Sequence, residues 1–231
     1  EAVAMTGKPL VVLLRNGRAL ALQGAVRNAQ AVAVTWYLGT QTGPAVADVL
    51  FGDYNPSGRL PVSFPQVSGQ QPFFYNHPRT GRPELPTMSE FKARWREIPN
   101  AALYPFGHGL GYTTFDYGVP QLSSKTLGWD DTLTITTTLT NTGAVAGEEV
   151  VQLYIHDRVA SRVRPVRELK DFRKVALQPG QSTQVQFTLD RHALGFTGRD
   201  GVFGAEPGQF DLWVCASSAS GEPVIFELLA G

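Results

Sequence analysis

The side chains that could do chemistry in this chain are few and scattered. His77, His108, His156 and His192 are far apart, and none has the HExxH or similar spacing that brings two imidazoles to one metal. Cys215 is the only cysteine, which rules out an internal disulfide and any CxxC redox or zinc motif. Ser123-Ser124 and Ser217-Ser218 fall in predicted turns, and no GxSxG elbow presents a nucleophile. Gly107-His108-Gly109-Leu110-Gly111 is glycine-rich, but it follows Tyr104-Pro105-Phe106 rather than a strand and opens no helix. It therefore lacks the context of a phosphate cradle and reads as a tight domain junction. The carboxylates Asp48, Asp53, Glu84, Glu90, Glu97 and Asp116 remain for acid and base work, yet no two of them form a recognisable catalytic pair.

One stretch is chemically distinctive. Phe73-Phe74-Tyr75-Asn76-His77-Pro78-Arg79-Thr80-Gly81-Arg82-Pro83, with the later Phe91-Lys92-Ala93-Arg94-Trp95, combines ring faces with fixed donors. That combination suits a pyranoside, and it suits packing between two domains equally well. Tyr75, Asn76, His77, Arg94 and Trp95 are the candidate substrate-binding residues. No cofactor or metal is expected.

The elements that must position these residues change character along the chain. Lys8 to Arg15 and Ala31 to Tyr37 are continuous apolar runs that predict strands buried on both faces, with a short helical connection from Leu20 to Gln30. A helix is predicted to follow, capped by Thr42 with Pro44 in its first turn. Ala45, Val46, Val49 and Leu50 share one face, and Gly52 ends it. Strands joined by helical crossovers imply a parallel α/β sheet of which only the later part is present. From Asp53 to Tyr117 periodicity gives way to prolines and aromatic residues, the signature of an ordered wrapping segment.

Beyond residue 118 the period becomes two. Leu133, Ile135, Thr137 and Leu139 share a face, as do Val151, Leu153 and Ile155; Val185, Phe187 and Leu189; Phe210, Leu212 and Val214; and Val224, Phe226 and Leu228. Turn residues separate them at Asn141-Thr142-Gly143, Gln178-Pro179-Gly180, Arg199-Asp200-Gly201 and Glu206-Pro207-Gly208. This pattern predicts a β-sandwich of fibronectin type III-like kind, since no cysteine pair is available for an immunoglobulin bridge.

Composition bounds the rest. With 231 residues, 42% hydrophobic and a formal net charge of +0, the chain has the apolar content for two ordinary domains and no charge run for nucleic acid or an anionic membrane. No apolar stretch is long enough to span a bilayer. Glu1 to Thr6 reads as the last turn of a helix stopped by Gly7 and Pro9, which suggests a fragment of a longer protein.

Several motifs resemble a known family. Gly39-Thr40-Gln41-Thr42-Gly43, Ala47 through Pro61, Tyr75-Asn76-His77 with Thr80-Gly81-Arg82-Pro83, and Leu103-Tyr104-Pro105-Phe106-Gly107-His108-Gly109-Leu110 are similar to glycoside hydrolase family 3. Thr140-Asn141-Thr142-Gly143, Glu149 through Tyr154, Arg164 through Lys170 and Glu206-Pro207-Gly208 resemble its C-terminal fibronectin III-like domain. The likeness covers essentially the whole chain and is closest to the bacterial periplasmic β-glucosidases.

The resemblance implies an α/β plus all-β fold. Residues 1–72 would be the later part of the α/β sandwich domain, 73–117 an aromatic, proline-rich wrapping segment, and 118–231 the fibronectin type III-like domain. It also implies the C-terminal part of a retaining exo-acting β-glucosidase. In that mechanism one carboxylate attacks the anomeric carbon while a second protonates the leaving oxygen and then activates water. Both groups would lie upstream in the barrel and early sandwich region, so no catalytic residue is assigned here. Arg94-Trp95-Arg96-Glu97 stands where relatives often have Arg-Tyr-x-Asp, and Gln41 where they often have Glu. The implied partners are a β-glucoside or oligosaccharide, the N-terminal barrel and early sandwich region, and a second copy as a homodimer, with no nucleic acid and no membrane. The implied location is periplasmic or secreted. The alternatives are a non-catalytic carbohydrate-binding or interaction module, and a family member specific for β-xylosides or other sugars.

Overall fold

The computed structural model describes residues 1–83 and 91–231. The first third is sparse in regular structure. A single 3-10 turn, Ala4–Thr6, stands where the last turn of a longer helix was expected. Strand β1 (Val11–Leu14) leads through a one-turn helix, α1 (Gly24–Arg27), to the parallel strand β2 (Ala31–Val34). The predicted connection over residues 20–30 is thus helical only at its centre. Helix α2 (Thr42–Phe51) then runs to Gly52, whose φ of 87° gives the left-handed close that a Cβ would oppose. Thr42 does not cap it as expected. Its hydroxyl donates to the Gly39 carbonyl at 2.6 Å, inside the turn that precedes the helix.

The expectation of strands buried on both faces is also corrected. Val11 is 50% and Leu13 43% exposed, because this sheet has two strands and no more among the described residues. Leu50 and Phe51 at the end of α2 are likewise open. Apolar runs of this kind record the burial that a sheet needs, not the burial that two strands can supply.

The remainder is a β-sandwich. Its strands are β3 (Phe115–Tyr117), β4 (Gln121–Leu122), β5 (Thr126–Leu127), β6 (Leu133–Asn141), β7 (Gly147–Asp157), β8 (Glu168–Leu177) and β9 (Ser182–Leu189). After a one-turn helix, α3 (Arg191–Leu194), come β10 (Phe196–Thr197), β11 (Phe203–Gly204), β12 (Gly208–Cys215) and β13 (Val224–Leu228). One sheet has the order β5-β13-β12-β7-β8. In the other, β3 and β4 pair one edge of β6 and β9 pairs the opposite edge. β3 lies within the segment read as linker yet is hydrogen-bonded into this sheet.

The period-2 residues form the core between the sheets. Leu133, Ile135, Leu139, Val151, Leu153, Ile155, Phe187, Phe210, Leu212, Phe226 and Leu228 are buried, and Phe210 stacks on its cross-strand neighbour Phe226 at 5.3 Å. Asp190 caps α3 by accepting the Ala193 N–H at 2.9 Å. Strand β8 escaped the sequence reading, because charge falls on both of its faces: Glu168, Lys170, Asp171, Arg173 and Lys174 sit on an edge strand that needs little apolar cover.

Candidate functional site

The proline-rich segment becomes a strap through its backbone. Phe64 N–H donates to Tyr104 O and Leu103 N–H returns to Phe64 O, both at 2.8 Å; Leu60 N–H donates to His108 O at 2.9 Å and Gly107 N–H to Leu60 O at 2.8 Å. Prolines at 61, 65 and 105 fit because their missing donors fall between these bonds. Phe64 is fully buried between Trp36 and Tyr104, each with its ring centroid 6.3 Å away. Trp36 is the one non-glycine residue with positive φ among the described residues, at 51°. That placement is strained, and its packing on Phe64 holds it.

The strap then grips the sandwich. Tyr75 stacks on Phe106 at 4.2 Å and meets Tyr154 edge-on at 5.9 Å, and its hydroxyl accepts the Leu169 N–H of β8. Gln152 of β7 donates to the Gly107 and Ala216 carbonyls and accepts from the Tyr154 hydroxyl. Arg59 reaches Glu149 at 2.8 Å, with side-chain exposures of 10% and 6%. Glu148 accepts from Lys174 at 2.7 Å and Ser57 at 3.1 Å, which holds its carboxyl below the usual range. His108 lies flat on Tyr104, and burial followed by the Arg59 charge pushes its pKa down, so it is a neutral packing element here.

The five candidate residues divide into two groups. Tyr75 is half-buried in its contacts with Phe106, Tyr154 and Leu169. His77 is exposed, with its carbonyl accepting the Val166 N–H at 3.0 Å, and Asn76 beside it is exposed. Arg94 is half-buried and Trp95 is 46% exposed, in a loop closed by Asn100, which accepts the Trp95 N–H at 2.9 Å and donates to Ala93 O at 2.8 Å. No hydrogen bond or ring contact joins these two groups among the described residues. Glu84 and Glu90 lie outside the described residues. Among the described residues no three His, Cys, Asp or Glu side chains gather as a metal site. Burial pushes the Cys215 thiol up, and Arg167 beside it only partly offsets this, so the sulfur is not an activated nucleophile.

Comparison with known proteins decides the family. Residues 1–112 match the glycosyl hydrolase family 3 C-terminal domain, and residues 149–218 match the fibronectin type III-like domain. The chain belongs to glycosyl hydrolase family 3. It is 46% identical over 229 residues to a periplasmic beta-glucosidase of Salmonella typhimurium, covering 99% of this chain and 30% of that protein. A beta-xylosidase of Formosa agariphila is 41% identical, with 94% of this chain and 29% of that one covered. The crystal structure of a beta-glucosidase from Listeria innocua with isofagomine superposes with a TM-score of 0.93 at 39% identity, covering 98% of this chain and 32% of that one. The family 3 chain thus spans about a third of the length of the relatives it matches, as their C-terminal part.

Sequence reasoning missed the residues that make this family 3 junction. Arg59, Glu149, Gln152 and Tyr154 lie in motifs quoted only as likeness; Arg59 and Glu149 pair across 90 positions, and Gln152 reaches Gly107 across 45. It also missed Asp157 at the end of β7, a buried side chain whose Oδ1 accepts the Val159 N–H while Oδ2 has no partner among the described residues. Burial pushes the Asp157 pKa from 3.8 up to about 6. Glu206 adds to the rise, while the Val159 N–H, Arg164 and His156 oppose it. The folded chain therefore holds this proton more tightly than the unfolded chain does. The stability gained from it is fully present below about pH 4 and is lost as pH rises through about 6. Asp157→Asn is expected to remove that loss, so that its melting temperature gains on the parent's between pH 5 and pH 7.5. Parallel melting curves across that range would contradict the assignment.

Proposed function

We propose that the chain is the C-terminal part of a retaining, exo-acting β-glucosidase that removes terminal β-D-glucosyl residues from oligosaccharides or glucosides. In this reading the nucleophile and acid/base carboxylates lie upstream, and the chain supplies structural and site-shaping elements. The observation that carries it is the likeness to a periplasmic beta-glucosidase over 99% of this chain at 46% identity, together with a strap fixed to the sandwich by the Arg59–Glu149 pair and the Tyr75–Phe106 stack. The proposed segments are 1–72, 73–117 and 118–231. Exposed apolar residues of β1 and α2 support a partner in the N-terminal barrel and early sandwich region. A periplasmic or secreted location follows the Salmonella relative's name, and no described helix is long and apolar enough to cross a membrane. Homodimerisation belongs to the same proposal and is read by light scattering on the complete protein. The beta-xylosidase at 41% identity supports a second reading, in which the same architecture serves a β-xyloside.

The test is turnover of aryl β-D-glucoside and aryl β-D-xyloside by the chain alone and mixed with the matching upstream fragment. Silence alone with glucosidase activity in the mixture is expected. Turnover by the chain alone would overturn the placement of the carboxylates, and silence in both would favour a binding module. In the complete enzyme, Arg94→Ala and Trp95→Ala are expected to raise KM severalfold with kcat less changed, as loss of an exposed substrate contact requires. A fall in stability alone would assign both residues to packing.

A further inference from the structure

Residues 91–100 form neither helix nor strand, yet they carry Arg94 and Trp95, the side chains assigned above to substrate contact. Among the described residues, two of the three hydrogen bonds made by residues 91–97 go to a single side chain, that of Asn100; the third runs from the Ala93 N–H to Arg82 O at 2.7 Å. The arrangement of the two is specific. Asn100 Oδ1 accepts the Trp95 N–H at 2.9 Å while its amide nitrogen donates to Ala93 O at 2.8 Å. The Ala93 carbonyl belongs to the peptide plane before the Arg94 Cα and the Trp95 N–H to the plane after it. Tying both planes to one planar amide fixes their rotation about that Cα, and with it the direction in which the Arg94 side chain leaves the backbone.

Asn100 is itself held from both sides. Gln70, 6% exposed, donates to Pro99 O at 3.0 Å and accepts the Gln66 N–H at 2.6 Å. Gln66, 7% exposed, donates to Ala101 O at 3.4 Å and accepts from the Arg27 guanidinium at 2.7 Å. The carbonyls before and after Asn100 are thus tied to two buried amides, and Arg27 ties those to α1. Buried amides lose their solvation unless they find partners, and the loop supplies these partners in this conformation. Gln70 ends the 3-10 turn Ser68–Gln70, and the far edge of the Trp95 ring stands 4.0 Å from where a Cβ on Gly69 would lie.

We propose that Asn100 is the positioning residue of this loop: it sets the backbone at Arg94, and so the aim of the guanidinium and of the Trp95 ring, while Gln66 and Gln70 hold Asn100 in place. The proposal rests on the reading of Arg94 and Trp95 as substrate contacts. A contact residue already held in its binding geometry gives up less conformational freedom to its ligand, so loss of the holder weakens binding even where the holder touches no ligand atom.

The test has a conformational and a kinetic arm, both on the complete enzyme. Lys92, Arg94 and Arg96 make the loop a trypsin substrate once it opens. Asn100→Ala is expected to speed cleavage after these residues about fivefold or more with the melting temperature unchanged, since Asn100 is half-buried and outside the sandwich core. On an aryl β-D-glucoside it should raise KM about threefold or more with kcat less changed. That rise should vanish in the Arg94→Ala/Trp95→Ala background, where no contact is left to aim. A cleavage rate equal to the parent's, cleavage that rises only with a fall in melting temperature, a KM equal to the parent's where Arg94→Ala raises it, or the same rise in KM with Arg94 and Trp95 already replaced would each overturn the proposal. If Arg94→Ala/Trp95→Ala itself keeps the parent's KM, the substrate reading fails and the positioning role falls with it; faster cleavage of Asn100→Ala would then identify that reading, and not the ordering of the loop by Asn100, as the part that failed.

Discussion

Glu149→Leu is expected to lower unfolding stability by about 3–5 kcal/mol, the range seen when one member of a buried ion pair is removed. The Arg59 guanidinium would be left 10% exposed, still donating to Ser57 O and Gly58 O at 3.1 Å but with no counter-charge. Its Nε already has no partner among the described residues, so the site has little reserve with which to absorb the loss. The Val150 N–H would lose Glu149 Oε1 as well, which now accepts from it at 3.1 Å. Nearby, burial is the main cause that pushes the Tyr117 hydroxyl above its ordinary range, and it persists when Glu149 is removed, so no second anion takes the place of the carboxylate. The decisive comparison is Arg59→Met/Glu149→Leu, in which no charge is stranded. Urea unfolding should return at least half of the lost stability in the double variant, because apolar residues of similar volume often replace a buried pair without penalty. If the single variant loses less than about 0.5 kcal/mol, as surface substitutions do, the pair does not hold strap to sandwich.

Gly107→Ala should be comparably damaging, for a reason that combines backbone and packing. Gly107 sits at φ 79°, where a Cβ costs roughly 1–2 kcal/mol, and that Cβ would overlap Gln152 Oε1. Gln152 cannot swing aside cheaply. Its amide donates to Gly107 O at 3.2 Å and to Ala216 O at 2.6 Å, and its carbonyl takes the hydroxyl of the buried Tyr154. Displacing it would strand buried donors and acceptors at about 1–3 kcal/mol each. A total loss of about 3–5 kcal/mol is expected by urea unfolding. Gln152→Ala relieves the overlap but breaks the same network, so the double variant should cost much less than the two single losses added together. Strict additivity would show that the glycine and the glutamine act separately.

The residues themselves determined a good deal. Alternation at Leu133, Ile135 and Leu139, and at Phe210, Leu212 and Val214, is a local property of an extended chain with one buried face, so it announced both sheets and the core between them. Gly52 closed α2 where its flexibility predicted, and Gly107-His108-Gly109 proved to be the junction that its composition suggested. The family was legible because ordered motifs survive as strings. Other features depended on partners far along the chain. The apolar residues of β1 signalled a buried strand, but burial is set by neighbouring strands, and two do not supply it. Tyr75 had the composition of a sugar platform or of a packing residue, and the contacts with Phe106 and Tyr154 that half-bury it come from positions that spacing does not relate. Arg59 with Glu149, and Asp157, are unremarkable as letters. Only the tertiary structure decided that the first two share a dry interface and that the last keeps a buried oxygen with no partner among the described residues, since burial, counter-charge and hydrogen bonding all arise between segments and not within them.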